Sequence, residues 1–272
     1  MPEGHTVHRT ANDFNRHFRG KAIRVDSPQG RFSTDAGLID GHLLKNALAI
    51  GKQLFLSFDN GLTLRIHLGI YGKWRWQTAA GLEKSGSTVS DLVAAPVIGE
   101  VRARFYTDDA FADLRGPTVC EVVPNEQIQA VYDRLGPDPL NPAGRDRFIE
   151  RVSRSRQTIG QLLMDQSVVS GIGNVYRAEL LFRAGIDPYT PGSAIPAELV
   201  EALWEDSVKL LEVGVKTGFM ITRDELFTKR PTKDERNFVY KRENQECRVC
   251  GTQINLAIMQ GRKLYWCPSC QK

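Results

Sequence analysis

The sequence predicts an α+β protein of several domains: a β-sandwich or barrel that starts with a helix, a helical domain, and a C-terminal zinc-ribbon hairpin. Three observations support this prediction. Residues 22–123 consist of short strand-like runs separated by glycine turns, and helical periodicity begins after a proline-rich stretch at residues 135–142. Four of the five cysteines lie within the last 26 residues.

The composition is that of an ordinary globular protein. Hydrophobic residues make up 41% of the 272 residues and charged residues 25%, with a net charge of +4, which permits a polyanionic partner without requiring one. No apolar run approaches the roughly 18 residues of a membrane span, and the N-terminus lacks the apolar core of a signal peptide. We therefore expect a cytosolic protein with no membrane partner and no disulfide framework.

A first helix is predicted directly after residues 1–4. The positions that share one apolar helix face are Val7, Ala11, Phe14 and Phe18. Gly20 supplies the stop signal. This pattern places the two residues at the start of the mature chain, Pro2 and Glu3, at a helix N-terminus, where the helix dipole favours negative charge.

Pro2 and Glu3 can carry covalent chemistry. Removal of Met1 before proline leaves a free secondary amine, whose ordinary pKa of about 8 leaves a nucleophilic fraction at neutral pH. Attack of this amine on a sugar C1′ gives an iminium, and Glu3 is placed to move protons. By itself, however, this stretch is also compatible with an ordinary processed N-terminus.

The clearest β-structure is a hairpin that joins residues 52–58 to residues 62–68 through Asp59-Asn60-Gly61. Short strands are predicted to continue through Val97–Tyr106, and Cys120 is expected to be a buried strand residue. Lys52 is predicted to open its strand at a position whose side chain lies on the same face as the apolar side chains of that strand. It is therefore either a frayed strand end with a snorkelling lysine or a lysine directed into a cleft.

The proline-rich residues 135–142 predict an interdomain connection, and helices follow. The apolar positions that mark them are Phe148, Ile149 and Val152; Ile159, Leu162 and Leu163; Val175, Ala178 and Leu181, with Gly185 as a stop; and Leu199, Leu203, Leu210 and Leu211. Before the third helix lies Ser170-Gly171-Ile172-Gly173-Asn174. Its glycines let backbone N–H groups approach an anion, and Asn174 can cap the helix or donate to a phosphate, although a plain helix–turn–helix corner explains the same residues.

The cysteine spacing predicts one structural Zn²⁺. Cys247-x2-Cys250, sixteen intervening residues, and Cys267-x2-Cys270 match a four-thiolate site, which is closed and therefore structural. Ile254–Met259 and Arg262–Trp266 form the intervening hairpin. The five histidines, at positions 5, 8, 17, 42 and 67, show no pattern of an open catalytic metal site.

Pro2-Glu3, Gly171–Asn174 and a zinc ribbon with Arg262 together resemble the formamidopyrimidine-DNA glycosylase/endonuclease VIII family of bifunctional DNA glycosylases. The resemblance runs from residue 1 to residue 272, and Gly51-Lys52, His67-Leu68 and residues 134–138 also look like family positions. It implies a β-sandwich at residues 1–123, a linker at 124–142, a helix–two-turn–helix domain at 143–242 and a zinc finger at 243–272. It also implies a monomer that acts on damaged DNA and is nucleoid-associated if bacterial.

The resemblance assigns a role to each candidate residue. Pro2 would attack C1′, Glu3 would donate a proton to the leaving base, Lys52 would hold a phosphate and assist β-elimination, and Arg262 would grip phosphate and assist δ-elimination. The residues that match DNA-contacting positions are His67, Arg134 and Asn174. Ile70 and Tyr71 lie where the family inserts side chains into the helix, although a hairpin end packed on the core would place them equally well.

The sequence departs from the family pattern at several points. His5-Thr6 replaces the usual second carboxylate, and Gly69 lacks a side chain where a polar wedge residue can stand. The loop at residues 218–223 does not resemble the oxidised-purine capping loop, and with residues 71–74 it favours the endonuclease VIII branch and oxidised pyrimidines. A purine-lesion glycosylase of the same fold and a non-catalytic nucleic-acid-binding homologue remain the alternatives.

Overall fold

The computed structural model describes residues 2–97 and 99–272, so the predicted removal of Met1 lies outside the described residues. The chain divides into two compact units. The first contains Pro2 and Val7–Asp133, and the second contains Glu3–Thr6 and Arg134–Lys272. In the described part of the chain, no helix has the length and apolar character needed to cross a membrane.

The first unit is a β-sandwich with a helix at its start. Its elements are α1 (Gly4–His17), β1 (Arg24–Asp26), α2 (Ser33–Ile39), β2 (Leu44–Ile50), β3 (Gln53–Phe58), β4 (Leu62–His67), β5 (Lys73–Thr78), α3 (Ala79–Leu82), α4 (Val89–Ala94), β6 (Ala103–Tyr106), β7 (Ala110–Arg115), β8 (Val119–Pro124) and α5 (Asn125–Arg134). The strands form two antiparallel sheets in the orders β1-β6-β7-β5 and β2-β3-β4-β8. Apolar side chains of both sheets and of α1 share one core, because each sheet turns one apolar face inward.

The predicted first helix and central hairpin are confirmed. The apolar positions of α1 and Phe18, directly after the helix, are buried. Strand β3 pairs with β4 in the register that sets Leu54 opposite Ile66 and Leu56 opposite Leu64. Of the turn residues, only Gly61 has a positive φ, of 80°. The Asn60 side chain instead accepts a hydrogen bond from the Leu62 amide, so the turn depends on one left-handed residue and not two.

Several details of the β-region were predicted wrongly. Helices α2, α3 and α4 interrupt the predicted run of strands, and β6 begins only at Ala103, although strands were expected from Val97. Short helices of this kind form on the edges of a sandwich, where local capping decides the conformation; Thr88 and Asp91, for example, form a capping box at the start of α4. Cys120 is half-buried in β8, and burial raises the pKa of its thiol to about 12.

The segment predicted as a linker, residues 124–142, is structured along most of its length. Its first half is helix α5, and its second half packs into the second unit, where the Gly136 amide donates to the Gln166 carbonyl. The Ser170 amide donates to the Pro137 carbonyl in the same way, and Asp138 is only 6% exposed. Prolines therefore mark a rigid, packed segment here. The four-domain division stays a prediction.

The second unit is helical and carries the cysteine hairpin. Its elements are α6 (Arg145–Ser153), α7 (Ile159–Leu162), α8 (Asn174–Arg183), α9 (Ala197–Thr217), β9 (Asn255–Met259) and β10 (Arg262–Trp266), so all four predicted helices and the hairpin are present. One apolar cluster joins α6 to α9, and a second joins α8 to the hairpin. Helix α8 lies in the interior of this unit, because nine of its ten residues are buried.

Candidate active site

Glu3 closes the N-terminus of helix α8. Its side chain is 0% exposed, and its carboxylate accepts hydrogen bonds from the backbone amides of Gly173 and Val175 at 2.8 Å each. The Tyr176 amide lies at 3.4 Å from the same group. Free amides at a helix N-terminus and the helix dipole both stabilise negative charge, so the fold holds this carboxylate in one place by main-chain contacts.

Asn174 was predicted either to cap α8 or to donate to a phosphate, and the structure shows that it does not cap the helix. Gly173 is the N-cap residue, and the side chain that reaches the first-turn amides is that of Glu3. A Cβ at Gly173 would lie 2.5 Å from Cδ of Glu3, so the glycine makes room for the carboxylate. The cap therefore comes from a residue about 170 positions away in the sequence, which no local pattern can predict.

The Asn174 side chain instead connects α8 to the cysteine hairpin. It is buried, and its amide nitrogen donates to the Lys263 carbonyl at 2.8 Å. Its oxygen accepts from the Arg177 guanidinium at 2.5 Å, and Arg177 also donates to the Lys263 carbonyl at 3.2 Å. The first turn of α8 thus fixes the start of β10, the strand that begins with Arg262.

Arg177 is the most unusual member of this network. It is fully buried and donates to uncharged oxygens, those of Asn174, Lys263 and Gly160. Burial and the neighbouring positive charge of Arg262 lower the pKa of Arg177 to about 10. The two guanidinium groups repel each other, so this part of the unit presents a concentrated positive field to an anion.

Two tyrosines lie near Glu3, and helix α8 carries a second buried carboxylate, Glu179. Burial and the charge of Glu3 raise the pKa of Tyr176 and of Tyr240 above the ordinary value, so both hydroxyls stay protonated donors. Glu179 accepts from the backbone amides of residues 238–240 at 2.7–2.8 Å and from the Thr222 hydroxyl. Glu179 therefore holds the loop after α9 at two places, at Thr222 and at residues 238–240, by hydrogen bonds.

Sequence reasoning missed Tyr176, Arg177, Glu179 and Tyr240. A signal for two of them is present in the sequence. Helix α8 has apolar residues on every face, so a charged residue at position 177 or 179 has no solvent-facing position and must be buried. Buried charges are rare unless they hold a structure or a ligand.

In the first unit, Lys52 and His67 are neighbours. Lys52 does not open a strand as predicted; it lies with Gly51 in the two-residue turn that joins β2 to β3, and Gly51 takes φ 57° there. His67 ends β4 opposite Gln53, the residue next to Lys52. Burial and the positive charge of Lys52 lower the pKa of His67, so its ring is neutral at pH 7 and can donate one N–H.

The loop after β4 exposes its two large side chains. Ile70 is 53% exposed and Tyr71 83%, which excludes packing on the core as the explanation for these residues. Glycines on both sides enforce the turn: a Cβ at Gly69 would lie 1.9 Å from Oγ1 of Thr118, and one at Gly72 would lie 2.2 Å from the Leu68 carbonyl oxygen. Position 69 therefore has no room for a side chain, and the large exposed side chains of this loop are those of Ile70 and Tyr71.

The remaining predicted residues lie on exposed ends of elements. Arg134 is exposed at the end of α5, and Arg262 is exposed at the start of β10. The turn before Arg262 is formed by Gln260 and Gly261, with φ 49° and 70°. The structure thus groups Glu3, Asn174 and the start of β10 in the second unit, and Lys52 with His67 in the first. Pro2 is joined to Glu3 by one peptide bond.

The four C-terminal cysteines fit a zinc ion. Their sulfur atoms all lie within 4.8 Å of one another, with 3.9 Å between Cys247 and Cys270 and 3.5 Å between Cys250 and Cys267. Zn–S bonds of about 2.3 Å in a tetrahedron require S–S separations of about 3.8 Å. The predicted structural zinc site is confirmed in its ligands, and four thiolates leave no position for a substrate.

Comparisons with known proteins match along nearly the whole chain. Residues 1–119 match the formamidopyrimidine-DNA glycosylase N-terminal domain, and residues 135–225 match the formamidopyrimidine-DNA glycosylase H2TH domain. Endonuclease 8 1 of Mycobacterium tuberculosis is 41% identical over 285 residues, covering 100% of both chains. The formamidopyrimidine-DNA glycosylase of Methylococcus capsulatus is 31% identical over 286 residues with the same coverage.

Solved structures agree on the fold. The formamidopyrimidine-DNA glycosylase of Lactococcus lactis, bound non-covalently to DNA that contains an AP site, superimposes with a TM-score of 0.79 over 99% of both chains. Its sequence is 21% identical to this chain. At this level of identity the likeness establishes the fold alone, so the predicted architecture of sandwich, helical region and cysteine hairpin is confirmed.

Proposed function

Because the chain belongs to the formamidopyrimidine-DNA glycosylase/endonuclease VIII family, whose members are DNA glycosylases with AP lyase activity in base excision repair, we propose that it excises oxidised pyrimidines from damaged DNA through the amine of Pro2. One observation carries the mechanism. Glu3, the residue next to this amine, is buried and held rigidly by the amides that begin α8. A carboxylate held in this way beside a nucleophile is suited to acid–base catalysis.

In the first step, the ionised Glu3 accepts a proton from the Pro2 ammonium group. The free amine then forms a bond to C1′ of the damaged nucleotide while the glycosidic bond breaks, and the proton on Glu3 passes to the departing base. Opening of the sugar ring, with a proton transferred to O4′, leaves an iminium between Pro2 and C1′. Glu3 begins and ends this step as a carboxylate, which agrees with the amide donors around it.

The iminium then allows strand cleavage. Loss of a proton from C2′ breaks the C3′–O3′ bond, and loss of a proton from C4′ breaks the C5′–O5′ bond, so each elimination expels a phosphate as leaving group. Water hydrolyses the remaining imine and frees Pro2. We propose that Lys52 binds a phosphate and assists the first elimination, and that Arg262 binds a phosphate and assists the second.

Access to C1′ requires the damaged nucleotide to leave the base stack. Ile70 and Tyr71, exposed on a loop that two glycines hold in shape, are suited to fill the space left in the duplex. His67, Arg134 and Asn174 are proposed contacts to the DNA backbone. For Asn174 the contact requires its side-chain amide to be shared with the Lys263 carbonyl, to which it donates here.

The lesion class rests on the relatives. The full-length relative at 41% identity carries the name endonuclease 8, whereas relatives named formamidopyrimidine-DNA glycosylase are 31% identical over the whole chain or 33% identical over 77% of it. This difference supports oxidised pyrimidines. An oxidised-purine glycosylase of the same fold is the second candidate, favoured by the 31% relative of equal coverage. We further propose a monomer that is located in the cytoplasm and associated with the nucleoid if bacterial, with the four domains given above.

The nucleophile assignment is tested by borohydride trapping with Pro2→Gly. The mature wild-type protein should form a covalent adduct with DNA that carries an abasic site or an oxidised pyrimidine, and mass mapping should place it on Pro2. In Pro2→Gly the rate of adduct formation should fall by about 100-fold, because a flexible primary amine replaces a pre-oriented ring nitrogen. DNA affinity should stay within about twofold of wild type.

Undiminished trapping by Pro2→Gly would remove Pro2 from the mechanism. Paired substrates distinguish the two lesion classes: faster excision of an oxidised purine than of an oxidised pyrimidine would favour the second candidate. DNA binding without any adduct from protein with a free N-terminus would indicate the non-catalytic homologue.

Arg262→Ala should weaken binding to all DNA sequences and flatten the salt dependence. Loss of one phosphate contact lowers the slope of log K against log[salt] by about one unit. Arg24→Ala is the matched control: Arg24 is exposed on β1, in the other sheet from Lys52, and pairs with Asp40. We expect its slope to equal that of wild type. A wild-type slope for Arg262→Ala, measured by fluorescence anisotropy, would remove Arg262 from the phosphate contacts.

A further inference from the structure

The N-terminal segment Glu3–Thr6 is attached to the second unit at more points than Glu3 alone. The Gly4 amide donates to the Gly171 carbonyl at 2.8 Å, and a Cβ at Gly4 would lie 2.9 Å from Cα of Gly171. The two backbones therefore touch directly. The next residue, His5, is 2% exposed, which is unusual for a histidine four residues from the start of a chain.

The His5 ring fills a pocket between helices α8 and α9. It meets the ring of Tyr176 edge to face, with centroids 5.5 Å apart and an interplanar angle of 89°. On the other side lies Gly214 of α9, where a Cβ would fall 2.6 Å from Cγ of His5 and 2.6 Å from the Tyr176 hydroxyl. Glycine costs stability inside a helix, so its presence here is explained by the space that the two rings need.

Hydrogen bonds set the orientation of both rings. Nε2 of His5 lies 3.1 Å from the Thr6 hydroxyl, and the Tyr176 hydroxyl donates to the Leu210 carbonyl at 3.3 Å. Tyr176 also contributes its backbone amide to Glu3. One residue of α8 thus contacts both Glu3 and His5, and these two side chains hold the main chain on either side of Gly4.

From this geometry we infer that His5 is a positioning residue, which fixes the N-terminal segment so that Glu3 and the amine of Pro2 stand in their reactive arrangement. The inference rests on the proposed function. Successive Cα atoms are only about 3.8 Å apart, so a chain held at residues 3 and 5 leaves little freedom to residue 2. The pair His5-Thr6 stands where the family pattern has its second carboxylate, and in this chain the segment is held by the Gly4 amide and the buried side chains of Glu3 and His5.

The test compares His5→Ala and His5→Gln with wild type. In His5→Ala the empty pocket frees the segment, and a displacement of about 1 Å is enough to lower the rate of adduct formation on abasic-site DNA by up to about 100-fold. The effect should fall on kcat and leave KM and DNA affinity within about twofold. The terminal amide of glutamine reaches the position of Nε2, so His5→Gln should recover most of the rate.

Gly214→Ala perturbs the same pocket from helix α9 and leaves the amino-acid sequence of the N-terminal segment unchanged. Its Cβ would displace the His5 ring, so it should reproduce the loss of kcat seen in His5→Ala. His42→Ala is the matched control, since His42 is a partly exposed histidine that pairs with Asp59 in the first unit. It should leave every rate unchanged. All rates are measured per folded molecule, below the melting temperature of each variant.

The outcomes separate the two claims. A wild-type protein that forms no adduct overturns the proposed function and, with it, this inference. If the wild type forms an adduct and His5→Ala retains wild-type kcat, the positioning role is wrong and the proposed function stands. Where His5→Ala does not fold, retention of wild-type kcat by Gly214→Ala leads to the same conclusion. A loss confined to KM or to DNA affinity also overturns the positioning role, because it assigns His5 to binding.

Discussion

Replacement of Glu3 by Gln is expected to lower the rate of base excision by about 10²- to 10⁴-fold, the range that one acid–base group contributes. The substitution removes the carboxylate that we propose takes a proton from Pro2 and returns it to the leaving base. It also places an NH₂ group against amides that themselves donate, since Gly173, Val175 and Tyr176 all point N–H groups at this side chain. We therefore expect a stability loss of about 1–3 kcal/mol as well.

Glu179→Gln provides the matched control for this experiment. Glu179 is on α8, is equally buried, and also accepts from three backbone amides, those of residues 238–240. Its replacement should cost similar stability but leave excision by the folded protein within about tenfold of wild type. Single-turnover excision and thermal unfolding measure the two effects. Equal losses of excision in both variants would mean that Glu3 acts only by supporting α8.

Removal of zinc is expected to unfold residues 247–270 and abolish activity. The hairpin has a small core, whose buried members are Cys247, Ile254, Tyr265 and Cys267 with contributions from Ala178, Phe182 and Val239. Zinc binding at such sites supplies about 10–16 kcal/mol, as much as the whole stability of a typical domain. The hairpin also provides the Lys263 carbonyl to Asn174 and Arg177, so its loss leaves a buried guanidinium without one of its acceptors.

Titration with a zinc chelator, followed by hydrogen exchange of β9 and β10, measures the unfolding of the hairpin directly. Metal analysis should find one zinc per chain, and Cys250→Ser should reproduce the chelated state. Cys120→Ala is the control, since this half-buried thiol lies in β8 and outside the four-cysteine group. It should keep full zinc content and activity. Full activity of metal-free protein would contradict a structural role for the metal.

Much of the fold could be predicted because its signals are local. The apolar face of α1, the β3–β4 hairpin and the four helices of the second unit each follow from spacing within about 20 residues. The zinc ligands follow from cysteine spacing alone. The helices that were missed, α2, α3 and α4, are too short for periodicity to show.

By itself, the sequence determined the order of the sandwich, the helical region and the hairpin, the zinc ligands, and the candidate groups at Pro2, Glu3, Lys52 and Arg262. Only the tertiary structure decided what holds those groups. Glu3 caps a helix that begins at Asn174, His5 lies between Tyr176 and Gly214, and Arg177 is buried beside the hairpin that carries Arg262. These contacts join residues that are far apart in the chain. The partners in these contacts are set by the packed structure, and no pattern along the sequence records which distant residues meet.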